Sequence, residues 1–106
     1  MGEEHIKKEI EKVTDFFKSK YKATKIILFG SRAKNTHLKR SDIDILVVSP
    51  KFQKNYVKRL IKIYQELPSE EDFEIIALTP KEFKKRSKQF TIVKEAVQTG
   101  KVLYSS

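Results

Sequence analysis

A small α/β (α+β) domain, built as a mixed β-sheet with helices packed on one face, is what three features of this sequence predict. Helical and extended apolar patterns alternate along its 106 residues. Gly, Pro and capping residues punctuate the changes from one pattern to the next. The run Ile45-Leu46-Val47-Val48 is apolar at every position, which suits a central strand covered by other elements.

Each element has its own signal. Ile6, Ile10, Val13, Phe17 and Tyr21 recur at helical spacing, predicting an amphipathic helix over residues 3–20. Lys25-Ile26-Ile27-Leu28-Phe29 is a short apolar run stopped by Gly30 and reads as a buried strand. Residues 42–48 form a second strand, ended by Ser49-Pro50. Val57, Leu60, Ile61, Tyr64 and Leu67 mark a second amphipathic helix, closed before Pro68. Residues 73–78 are a third strand. Thr79-Pro80-Lys81-Glu82 matches a capping box with Pro at the first helical position, so a short helix starts there. A last helix carries Phe90, Val93 and Val97, with Gly100 placed to terminate it, and residues 101–104 can be extended. The connections among the three strands are long enough for parallel or antiparallel pairing.

Composition narrows the class. A chain of 106 residues has room for one hydrophobic core, so residues 1–106 read as a single domain. Its 39% hydrophobic, 35% charged and 10% aromatic residues fit a soluble globular protein and exclude wholesale disorder. No apolar run approaches the roughly 20 residues that span a bilayer, and the charged first 20 residues do not read as a secretory signal. With no cysteine there is neither a disulfide framework nor a thiolate zinc site, and a cytoplasmic location is the default. The net charge of +9 is unevenly placed. Residues 18–40 hold eight Lys or Arg and no acid, while residues 66–74 hold five acids and no base. Such a field attracts phosphates, although taken by itself the charge is better explained by a solvated Lys-rich surface that keeps the protein soluble.

Three groups of residues can carry chemistry. Gly30, which lacks a Cβ, lets the backbone turn sharply after the first strand and approach a ligand closely. Ser31 adds a hydroxyl and an N–H at a helix start, where anions bind, and Arg32, Lys34, Lys39 and Arg40 add charge. A Gly-Ser turn alone is commonplace. Asp42-Ile43-Asp44 opens the second strand, and alternation puts both carboxylates on one face with Ile43 opposite. Two like charges so placed repel unless a cation lies between them. A lone Asp-x-Asp fits a solvated pair as well as it fits metal binding. Glu74 is the third group, an acid inside the apolar run of the third strand. It faces either solvent or the Asp pair, with Asp72 on the same face as the fallback. His5 and His37 read as surface residues. The basic stretch of residues 81–88 could touch nucleic acid or an acidic partner, but as a capped amphipathic helix with Phe83 inward it is more often just a solvated face. Phe52, Tyr56 and Tyr64 lack the recognition-sheet context of base-stacking platforms.

Their joint order is more specific than any one of them. Gly30-Ser31-Arg32-Ala33 through Ser41-Asp42-Ile43-Asp44-Ile45-Leu46-Val47 resembles the minimal nucleotidyltransferase family of the DNA-polymerase-β-like superfamily. The preceding helix and strand, the Thr79-Pro80 helix start and the closing Ala96-Val97-x-x-Gly100-x-x-Leu103-Tyr104 extend the likeness over nearly the whole chain. The resemblance implies a polymerase-β-like core and nucleotidyl transfer, in which a hydroxyl attacks the α-phosphate of an NTP and pyrophosphate leaves. By that likeness Asp42, Asp44 and Glu74 are the catalytic and metal-binding acids. Gly30 and Ser31 cradle the β- and γ-phosphates, with Arg32 as charge partner. Relatives often have glycine where this chain has Asn35 and Asp where it has Glu74. An all-carboxylate site suits Mg²⁺ or Mn²⁺. Small members of the family pair with a helical HEPN-domain protein as antitoxin and toxin, and some adenylylate the partner's tyrosine. The expectation is therefore an ATP-using protein adenylyltransferase. Its alternative is an inactive module that neutralises a partner by contact, with direct nucleic-acid binding ranked third.

Overall fold

The computed structural model describes residues 2–30, 43–88 and 92–106. Four strands form one sheet in the order β3-β2-β1-β4, where β1 is Lys25–Phe29, β2 Ile43–Val48, β3 Phe73–Leu78 and β4 Lys101–Ser105. β1 runs antiparallel to both β2 and β4, whereas β2 and β3 run parallel, in step from Ile43↔Phe73 to Val48↔Leu78. A parallel pair needs a crossover, and the helix α2 (Tyr56–Glu66) supplies it. The sheet is mixed, as the sequence predicts, and the extended segment after Gly100 joins it as a fourth strand beside β1.

The helix α1 (Gly2–Lys20) buries the stripe its spacing defines, with Val13 and Phe17 wholly inside. Together α1 and α2 cover one face of the sheet, packing on Ile26, Leu28, Ile43, Ile45, Val47 and Ile75. The alternate residues Ile27, Phe29, Leu46 and Leu78 face the other way. There they meet Val93 and Ala96 of α4 (Ile92–Thr99), with Phe83 of α3 (Pro80–Arg86) at the margin. One-sided packing thus describes the two long helices, while the two short ones cover part of the opposite face. The reason is in β1 and β2, whose apolar runs require cover on both sides. Thr79 and Glu82 form the expected capping box of α3, and Gly100 closes α4 with its N–H on the Ala96 carbonyl at 2.8 Å. Among the described residues no helix is long and apolar enough to cross a membrane.

The face of α2 differs from its apolar pattern. Val57 is 65% exposed, Ile61 53% and Tyr64 45%, whereas Arg59 and Ile63 are buried. Burying a guanidinium is costly unless its donors are met. Here Arg59 donates to the carbonyls of Gln53, Lys54 and Ala77 and pairs with Glu82 at 2.7 Å. That hydrogen bond from Arg59 holds the Glu82 carboxyl below the usual carboxylate range. Tyr64 keeps part of its ring in water and lays its hydroxyl on β3. The hydroxyl accepts from the Ile75 N–H at 2.9 Å and donates to the Phe73 carbonyl at 3.2 Å. These groups and the Ala77 carbonyl lie on the edge of β3 away from β2, so α2 side chains occupy a sheet edge that would otherwise be open.

Candidate functional site

The register assembles the site. Phe29 pairs with Asp44 across β1 and β2, and Asp44 pairs with Glu74 across β2 and β3. Gly30, Asp44 and Glu74 therefore gather at one end of the sheet. Residues in register on neighbouring strands share a face and lie about 4.8 Å apart at the backbone. Ile43, only 1% exposed, is locked into the larger core, so strand alternation turns Asp44 to the opposite face. That is the face of Leu46 and Leu78, the one α3 and α4 partly cover.

Asp44 is half-buried and Glu74 is exposed. Among the described residues no hydrogen bond or ion pair engages the Glu74 carboxylate. Gly30 has φ +75°, a conformation side chains disfavour, and a Cβ at this position would run into Oδ2 of Asp44. Glycine here satisfies two demands, a left-handed turn and clearance for a carboxylate. Asp72, the fallback acid, is exposed just before β3; its carbonyl accepts from the Ile43 N–H at 2.9 Å and helps hold the register. Glu74, not Asp72, is the acid in step with Asp44.

Two carboxylates side by side repel, and a hard divalent cation with oxygen ligands relieves that repulsion. The Asp44–Glu74 pair fits such an ion as part of a ligand set. Among the described residues no three His, Asp or Glu side chains converge to complete one. Asp42, the predicted third ligand, lies outside the described residues, as do Ser31 and Arg32, predicted for the phosphates. His5 pairs with Glu71 at 2.9 Å on the surface, and His37 lies outside the described residues. Arg59 and Tyr64 gained no role from the sequence. The only trace of Arg59 is a cation that replaces an apolar residue on the buried side of α2, a signal without a motif.

Comparison with known proteins adds a family. The nucleotidyltransferase domain family matches residues 10–98. No curated protein matches significantly. Among solved structures, a candidate nucleotidyltransferase from Sulfolobus solfataricus is 21% identical with a TM-score of 0.61, over 99% of this chain and 90% of its own. A toxin–antitoxin structure with AMP-PNP is 22% identical with a TM-score of 0.63, over 91% of this chain and 73% of its own. A mutant of the toxin–antitoxin MntA–HpeT is 22% identical with a TM-score of 0.59, over 92% of this chain and 73% of its own. At these identities the likeness is one of fold.

Proposed function

Because the chain belongs to the nucleotidyltransferase domain family, we propose that it transfers the NMP moiety of an NTP, ATP foremost, to a hydroxyl of a partner protein. It does so as a single domain in the cytoplasm. The observation behind this reading is the in-register carboxylate pair, Asp44 and Glu74, with Gly30 packed against it. Asp42 and Asp44, with Glu74, hold Mg²⁺ or Mn²⁺. When bound, that ion supplies charge neutralisation at the phosphates. Gly30 leaves the backbone open for a triphosphate, and Ser31 and Arg32, next in sequence, donate to its β- and γ-oxygens. Glu74, the exposed acid, accepts the proton of the attacking hydroxyl. The hydroxyl oxygen bonds to the α-phosphorus, the bond from that phosphorus to the bridging oxygen breaks, and pyrophosphate leaves with the electron pair.

The toxin–antitoxin neighbours, one of them with AMP-PNP, support ATP as donor and an antitoxin role. The partner is then a HEPN-like helical toxin, and its modification silences it. Val57, Ile61 and Tyr64 give α2 an exposed apolar ridge of the kind a protein partner covers.

The test uses lysate of the source cells, Mg²⁺ and ATP labelled on the α-phosphate. The wild-type chain is expected to label a macromolecule. Asp44→Asn should cut labelling by more than about 100-fold, since losing even outer-sphere partners of a metal reaches that size. A folded wild-type protein that labels nothing with any NTP would leave contact alone as the mode of action.

A further inference from the structure

The exposed side of α3 is a row of cations. Lys81, Lys84 and Lys85 lie on it, and Lys88 continues the spacing just past its end. Offsets of three, four and seven residues put all four on one stripe. Among the described residues none of them has an ion-pair partner. The acid of α3, Glu82, is withdrawn from the stripe by its 2.7 Å pair with the buried Arg59. Phe83 is turned inward as well, and Lys25 of β1 lies over its ring at 5.7 Å, adding a cation at the border. The helix dipole accounts for Lys84 and Lys85 in the last turn but not for Lys81 in the first, where a cation is disfavoured. The fold thus concentrates repulsion on this stripe and turns away from it Glu82, the one acid of α3.

We propose that this stripe binds the phosphodiester backbone of a nucleic acid, a function separate from nucleotidyl transfer. A protein partner would need an apolar centre to its interface. Among the described residues the exposed large apolar side chains lie elsewhere, on α2 and at Val97 and Val102. Backbone phosphates need only positive charge at reach, which a row of lysines supplies. Nor is the stripe an outlying part of the triphosphate site. It adjoins the Val48 and Leu78 end of the sheet, four residues along β2 and β3 from Asp44 and Glu74, a strand length of about 13 Å.

The experiment is fluorescence anisotropy of the full chain with a labelled single-stranded RNA of about 20 nucleotides and with DNA of the same sequence. It contains no NTP or divalent ion, so it reads binding whether or not transfer is ever detected. Four phosphate contacts predict a slope of log affinity against log salt of roughly −2.8 for a single strand. Lys84→Glu with Lys85→Glu should lower affinity at least about tenfold at low salt, and the Gln pair should lower it less. Circular dichroism and a thermal melt confirm that the variants fold. Lys7→Glu with Lys8→Glu, an equal charge change on the exposed side of α1, should leave affinity within about twofold. Equal binding of RNA and DNA supports backbone recognition, and a preference for RNA supports it with a 2′-hydroxyl contact added. An equal loss in the α1 variant, a flat salt response, or tighter competition by poly-glutamate than by RNA would each overturn the proposal. The last would point to an acidic protein instead.

Discussion

At Gly30 the backbone has φ +75°, and the Asp44 carboxylate occupies the space a Cβ would need. Gly30→Ala should therefore lose about 1–3 kcal/mol in a urea titration through backbone strain alone, and nucleotidyl transfer with it. Gly30→Asn separates the two demands: asparagine tolerates positive φ, so stability should recover in part while transfer stays lost. The turn itself is legible in the sequence, because a glycine stops an apolar strand there. Its clearance for Asp44 is not, since residues 30 and 44 meet only once β1 and β2 pair. Tyr21 is a second residue whose behaviour follows from burial. Desolvation, reinforced by the neighbouring Glu66, pushes its phenol from 10.0 up to about 12. A raised folded value means the contribution is whole below pH 10 and fades as pH climbs through about 12. Denaturant midpoints measured from pH 9 upward should fall over that window, and Tyr21→Phe should flatten the fall.

At the scale of elements, α2 both crosses the sheet and finishes its edge. The Tyr64 hydroxyl and Arg59 guanidinium meet backbone groups of Phe73, Ile75 and Ala77 on the outer side of β3. Tyr64→Phe leaves the Phe73 carbonyl and the Ile75 N–H without that hydroxyl and should cost about 1–2 kcal/mol, read as a lower urea midpoint at unchanged slope. Val57→Ser, on the exposed ridge of the same helix, should leave the midpoint almost unmoved. The existence of α2 was legible from its apolar spacing, and its rotation was not. Hydrophobic periodicity assumes that charge faces water. Arg59 breaks that assumption because carbonyls from residues 53, 54 and 77 converge on it, a meeting that no local pattern encodes. Caps, by contrast, are local chemistry, and the Thr79–Glu82 box reads the same in sequence and structure.

In the whole molecule, the elements and their order follow from the sequence, while the pairing of strands required the structure. Nothing local decides that β2 and β3 run parallel and in step, yet this is what brings Asp44 beside Glu74. Those two residues and Gly30 were legible as candidates, and their adjacency was a property of the register. The sheet also divides the protein unequally. Its larger core, with Phe17, Tyr21, Phe52 and Ile63, lies under α1 and α2. The smaller one joins α3 and α4 through Phe83, Val93 and Ala96. Local opening follows the thinner packing, so the amides of α3 and α4 exchange with solvent well before those of the central strands. The side that bears the acid pair can breathe while the framework fixing its spacing stays folded, which gives a substrate room to enter and a product room to leave.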